Sequence, residues 1–229
     1  MSTRFLSLLA PLVLLILAQP LVAQGTLPGY STKVLNLLVI VGAFRILQPH
    51  RKLMWVSGIL FLIAAGAVPA HQVSTDLAAH LIGGIASVAA LTIITIVIAW
   101  EAIHEHWVTR DTLFGALAVY LLIGVTTTVL YEIIEVTAPG SFTNIQGLSP
   151  SQLYAELNYF SLVTLTTLGY GDIAPVAPIA RTLAATEAIV GQFFVAAVVG
   201  LLISRGGAQR FSIKGHDSQA ANVSNASQD

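Results

Sequence analysis

The stretch Thr164-Leu165-Thr166-Thr167-Leu168-Gly169-Tyr170-Gly171-Asp172 decides the reading of this chain. Gly169 and Gly171 flank a single aromatic residue, so the backbone there can take left-handed angles that other residues resist. Successive carbonyl oxygens can then all point the same way. Four such strands around an axis would stack rings of carbonyls, and such rings can replace the hydration shell of a cation. The competing reading is a chance turn outside the membrane.

The flanks favour the first reading. Upstream, Pro139 to Leu148 is loop, with turn chemistry at Pro139-Gly140, Asn144 and Gly147. Ser149-Pro150-Ser151-Gln152 then reads as a helix start. Ser149 is the N-cap, Pro150 the first helical residue and Gln152 the reciprocal capping-box partner. The spacing predicts a helix to about Thr166, too polar and too short to cross a bilayer. A half-helix at membrane depth is tolerated only where protein or water surrounds it, which makes this a re-entrant segment.

Composition sets the wider frame. Of 229 residues, 55% are hydrophobic and 9% charged, and the mean hydropathy is +0.82. Average soluble domains carry about 25% charged residues, so an ordinary soluble enzyme and a disordered protein are both excluded. A net charge of −1 gives no field to attract nucleic acid. With no cysteine, disulfides, thiolate metal sites and cysteine nucleophiles are excluded. No His/Glu cluster, activated nucleophile or phosphate loop falls at membrane depth, so no enzyme is expected. No cofactor is implied.

Six apolar stretches are long enough to consider as spans: Phe5–Val22, Val34–Leu47, Leu53–Ala70, Leu81–Trp100, Leu113–Ile134 and Leu183–Ile203. The expectation is an all-α membrane protein of six transmembrane helices, with the half-helix between the fifth and sixth. Phe5–Val22 exceeds a signal-peptide core, and Leu21 stands where cleavage prefers a small residue, so a retained helix is expected. Arg4, Arg45, Arg51, Lys52, Arg110, Arg205, Arg210 and Lys214 fall on one side of these spans, and Lys33 and Arg181 on the other. Positive-inside then places both termini in the cytoplasm. Three parts are expected: a four-helix membrane part over 1–107, a pore part over 108–205 and a disordered polar tail over 206–229.

The decisive stretch resembles the selectivity-filter signature of tetrameric P-loop potassium channels, Thr-x-Thr-Thr-x-Gly-Tyr-Gly-Asp, with Leu168 at its variable position. The resemblance implies a homotetrameric pore in a multi-pass plasma (inner) membrane protein of bacterial type. K+ would be the permeant ion, coordinated by the backbone carbonyls of Thr167, Leu168, Gly169 and Tyr170, with the Thr167 hydroxyl closing the innermost site. Gly171 would carry the strand to the outer mouth, and Asp172 would sit behind that mouth. Thr164 and Thr166 would support the filter from the pore-helix end. Tyr159 and Phe160 stand where the family carries an aromatic cuff, within which the Tyr170 hydroxyl could bond. Val163 stands where some prokaryotic members carry a Glu that promotes inactivation. Gly191 lies at the spacing of the inner-helix glycine hinge, with close packing as its alternative. Gln192 would line the cavity, and Gly200 would fall near the cytoplasmic constriction.

Glu187 is a membrane carboxylate that needs a partner. A structural hydrogen bond to the pore helix is the leading expectation, with a proton-sensing role as the alternative. Glu132 and Glu135 are expected to tie the fifth span to the pore loop, with simple solvent exposure as an equal alternative for Glu135. Leu81–Trp100 carries no Arg or Lys, so the voltage-sensor part of the six-span resemblance is missing and little voltage gating is expected. His104 and His106 do not share a helical face, so they form no metal pair, and Trp107 marks an interfacial helix end. The leading function is a potassium-selective channel. The alternatives are a nonselective cation channel of the same fold or a non-conducting modulatory subunit. The expected partners are further copies of the chain, membrane lipid and an unidentified regulator.

Overall fold

A computed structural model describes residues 4–27, 30–73, 77–104 and 109–201. The basic residues Arg205, Arg210 and Lys214, the tail over 206–229, the end of the last span at Ile203, and His106 with Trp107 lie outside the described residues. Seven helices are described: α1 Leu6–Ala23, α2 Tyr30–Leu47, α3 Arg51–Val73, α4 Leu77–His104, α5 Arg110–Thr137, α6 Pro150–Leu165 and α7 Pro178–Leu201. Among the described residues no strand forms, and an isolated antiparallel bridge joins Phe142 to Pro175.

Four of these helices, α1, α4, α5 and α7, are long and apolar enough to cross a membrane. In α2 the apolar part is the shorter Val34–Leu47. Arg51 and Lys52 open α3. Large apolar side chains also cover the outside. Leu17, Leu37, Trp55, Leu62, Ile85 and Ile96 are all exposed, as suits helices whose solvent is lipid.

The core explains the helix order. Helices α4 and α5 pack along one another, α3 packs on α4, α1 on α2, and α1 also touches α5 and α6. Phe5, Leu8, Leu12, Ile46, Leu47, Ile98 and Leu122 are buried in one shared cluster. The buried face of α1 is thus part of the interior. Close approach is set by glycine at two points. A Cβ on Gly42 would lie 2.6 Å from the Ser7 carbonyl oxygen and 2.9 Å from Leu8 Cα. On Gly124 it would press on Leu162 and Leu165 of α6.

One end of the bundle is fastened by charge. Arg4 pairs with Glu101 at 2.9 Å and donates to the Ile46 carbonyl at 2.7 Å. His50 reaches the other Glu101 oxygen at 3.1 Å, and the Phe5 amide donates to Asp111 at 3.2 Å. These contacts bring the start of α1, the α2–α3 turn, the end of α4 and the start of α5 to the same end. Arg4, Arg51 and Arg110, grouped on one side by their sequence positions, fall there.

The Gly42 contact is with backbone, which cannot yield as a side-chain tip can. Gly42→Val should lower stability by about 1–3 kcal/mol, the usual cost of overpacking. It should cost more than Gly58→Ala, whose new Cβ would meet only the end of the Phe44 ring. Thermal unfolding of the purified variants in detergent checks the order.

Candidate functional site

The site begins with a helix that starts where its sequence says. Ser149 Oγ accepts from the Gln152 amide, and Gln152 Oε1 accepts from the Ser149 amide at 2.9 Å. Pro150 occupies the first turn. At 1.5 Å per residue, the 16 residues of α6 span about 24 Å, less than the roughly 30 Å of a hydrocarbon core.

The other end of α6 has an unusual residue. The Thr167 amide donates to the Thr164 carbonyl at 2.9 Å and the Leu168 amide to the Val163 carbonyl at 2.9 Å. This pair of bonds is the Schellman termination, whose turning residue is left-handed and usually glycine. Here it is Thr167, at φ 59°. A β-branched residue in that region costs on the order of 1–3 kcal/mol, and a glycine would avoid the cost while losing the hydroxyl. The remaining carbonyls of the helix end are also engaged. Tyr120 on α5 donates its hydroxyl to the Leu165 carbonyl at 3.0 Å. Thr166 Oγ1 donates to the Leu162 carbonyl at 2.7 Å, and Thr167 Oγ1 to the Thr166 carbonyl at 2.7 Å.

Beyond that turn the chain is neither helix nor strand, with φ again positive at Gly169 (58°) and Gly171 (80°). Left-handed residues thus recur at every second position, 167, 169 and 171. Among the described residues, the carbonyl oxygens of Thr167, Leu168, Gly169 and Tyr170 accept no hydrogen bond. Leu168 and Tyr170 are exposed.

The outer end of this strand is tied to the loop after α5. Asn144 donates to the Asp172 carbonyl at 2.6 Å. Thr143 and Ala174 exchange bonds at 2.9 Å, and the Val176 amide donates to the Ser141 carbonyl at 2.8 Å. Glu135 holds the loop from α5, accepting from the Gly140 and Phe142 amides at 2.8 and 3.2 Å. Tyr159 donates its hydroxyl to Asp172 Oδ2 at 2.8 Å. That bond holds the Asp172 carboxyl below its ordinary value and pushes the Tyr159 phenol up to about 12.

The two aromatics of the expected cuff part company. Tyr159 reaches Asp172, whereas Phe160 turns into a triad of edge-on rings with Tyr131 and Phe142, centroids 5.1 to 5.4 Å apart. The hydroxyl at Asp172 is that of Tyr159.

Glu187 on α7 is buried and meets three hydroxyls. Its Oε1 accepts from Ser161 of α6 at 2.6 Å and from Thr127 of α5, and its Oε2 from Tyr131 of α5. One turn further along α7, a Cβ on Gly191 would overlap the Leu165 carbonyl oxygen. Gly191 therefore lets α7 touch the end of α6, and the close-packing reading of this glycine acquires a definite partner. Gln192 then donates to Thr167 Oγ1 at 2.8 Å. The elements bring Thr164, Thr166, Thr167, Glu187, Gly191 and Gln192 around one helix end. Sequence reasoning missed Tyr120, Thr127, Tyr131, Ser161 and Asn144. The signal for one pair was available: Thr127 and Tyr131 stand four apart on an apolar helix, hence on one face.

The comparisons with known proteins fall on this region. A family described as "Ion channel" matches residues 118–206. The chain is 35% identical over 91 residues to "Two pore potassium channel c" of Oryza sativa subsp. japonica, covering 40% of this chain and 18% of that protein. It is 34% identical over 74 residues to "Inward rectifier potassium channel Kirbac3.1" of Paramagnetospirillum magnetotacticum, covering 32% of this chain and 21% of that protein. The matched segment is thus about a fifth of each relative. No solved structure matches the chain. Residues 118–206 are thus similar to an ion-channel family, and the relatives they resemble are potassium channels by name.

Glu187→Ala should lower stability by about 2–4 kcal/mol, from a small cavity and a buried tyrosine hydroxyl left without an acceptor. Thr127 and Ser161 retain backbone acceptors at Gly124, so Tyr131 bears most of the loss. Glu187→Gln should lose less than half as much. Adding Tyr131→Phe to Glu187→Ala should cost little more, which a double-mutant cycle of thermal unfolding reads directly.

Proposed function

We propose that the chain assembles as a homotetramer around a fourfold axis and conducts K+ selectively through a filter formed by residues 167–171. The observation that carries this reading is the run of carbonyls at Thr167, Leu168, Gly169 and Tyr170 that accept no hydrogen bond, on a backbone whose φ turns positive at every second residue. Such a strand can present its carbonyls to one side. One chain supplies only one strand, and a closed ring needs several copies. The exposure of Leu168, Tyr170 and the α7 face with Ile189, Phe193 and Val199 supports assembly through these surfaces.

On this reading α5 is the outer helix, α6 the re-entrant pore helix and α7 the inner helix, making up the pore part over 108–205. Helices α1 to α4 form a peripheral part over 1–107, giving six spans and cytoplasmic termini in a prokaryotic inner membrane. Transport is passive. With no Arg or Lys between Leu77 and Trp100, α4 carries none of the gating charge that couples a pore to voltage at about 2.3 kcal/mol per charge per 100 mV. The Asp172–Tyr159 bond braces the outer mouth.

Liposomes loaded with K+ test this reading by flux against external Na+, with the cations then reversed. K+ flux should far exceed Na+ flux, and Gly169→Asp should abolish it. Equal fluxes would mean a nonselective channel. A chain that conducts neither ion and forms no cross-linked tetramer would be a modulatory subunit.

The outer mouth should respond to external acid. Asp172 is held below its ordinary value, so the Tyr159 bond is fully made above that value and is lost as pH falls through the lowered one. Tyr159→Phe removes the cause of the lowering. The variant lacks the bond at every pH, so it should conduct less K+ than the parent at neutral external pH and lose the parent's fall in acid, read from flux over an external acid series.

A further inference from the structure

We propose that Gln192 is a positioning residue for the innermost cation site, fixing the Thr167 hydroxyl so that one lone pair stays available to the ion. The inference rests on the channel reading above. A hydroxyl has one proton and two lone pairs. The Thr167 proton goes to the Thr166 carbonyl at 2.7 Å, so toward Gln192 the oxygen can only accept. That settles which end of the amide faces it, and Gln192 Nε2 donates at 2.8 Å. One lone pair remains.

The hold comes from another helix, and it acts at a strained residue. Thr167 sits at φ 59°, where a β-branched side chain is crowded by its own backbone. The local bond to the Thr166 carbonyl holds the hydroxyl from one side, and Gln192 holds it from the other. The placement of Gln192 is secure for independent reasons. The preceding residue, Gly191, lies against the Leu165 carbonyl. Tyr120 donates to that same carbonyl from α5, and the Phe194 ring packs on the Tyr120 ring at a centroid distance of 5.6 Å. Residues 191–194 of α7 are thus fastened to the end of α6 and to Tyr120 of α5, and Gln192 makes the attachment that ends on a filter atom. Rigid placement of a ligand oxygen raises affinity by removing the cost of ordering it on binding.

Calorimetric titration of Ba2+ into the purified full-length protein in Na+ buffer tests this. Ba2+ has nearly the radius of K+ and twice its charge, so it reports on a K+-sized oxygen cage without an open gate. Gln192→Leu should weaken Ba2+ binding by about threefold to tenfold, the range of a net hydrogen bond. Gln192→Asn, one methylene too short to reach Thr167, should do the same and carries the test should the Leu variant fail to fold. In a Thr167→Ser background, which keeps the hydroxyl, the loss should persist. In a Thr167→Ala background, which lacks it, Gln192→Leu should have no further effect. Unaltered binding in both Gln192 variants, or a loss undiminished in the Thr167→Ala background, overturns the inference and leaves the channel reading standing. A parent protein that binds no Ba2+ overturns the channel reading and this inference with it.

Discussion

The carboxylate of Glu187 joins three helices at one point. It sits on α7, and the hydroxyls that surround it come from α5 and α6. A buried carboxylate is tolerated at membrane depth only when its oxygens are satisfied, and each hydroxyl here supplies part of that. The consequence is positional. Helix α6 is too short to be held by the bilayer and packs on α5 and α1. The Glu187 cluster fixes its roll between α5 and α7, and Gly191 fixes the depth at which α7 meets its end. With roll and depth settled, the strand that leaves α6 begins at a defined place.

What the strand does there depends on how the helix ends. A Schellman turn with glycine would be the unstrained solution. The chain uses Thr167 instead and accepts the cost of a left-handed threonine. The gain is an oxygen on the side chain at the point where the carbonyl series starts. Strain of this kind persists only where the surroundings over-determine it. Here they do, through the Thr164 and Val163 carbonyls below, the Thr166 carbonyl beside it and Gln192 across from it. The left-handed residues at 169 and 171 are glycines and carry no such penalty.

Much of this was legible because the informative signals are local. The capping box of Ser149 and Gln152 marks the start of α6 within four residues, and the glycine alternation marks the strand within another few. The rest depends on contacts far apart in sequence. Thr127, Tyr131 and Ser161 are ordinary residues individually, and only the fold brings them to Glu187, up to 60 positions away. Tyr159 and Phe160 look equivalent as adjacent aromatics. A helix turns by about 100° per residue, so one faces Asp172 and the other the ring triad. For Gly191, spacing alone cannot distinguish a place to bend from a place of close contact. The Leu165 carbonyl against it is the information that spacing lacked.

The same contacts limit where α7 can move. Above Gly191 the helix is held by Glu187, and at Gly191 to Phe194 it is held by the end of α6 and by Tyr120. Beyond Phe194 most described residues of α7 are exposed within one chain. The fastened half of α7 thus ends at Phe194, three residues past the glycine, and the half beyond it is free of its own subunit. The missing Cβ at Gly191 permits the contact with Leu165, and that contact makes Gly191 part of the held segment. On the channel reading, a stimulus that opens the pore must act on the part of α7 below Phe194 or on the surfaces that cover it in the tetramer. The first four helices reach that region through α4 packed along α5, with the Arg4–Glu101–His50 group fastening the same end of the bundle.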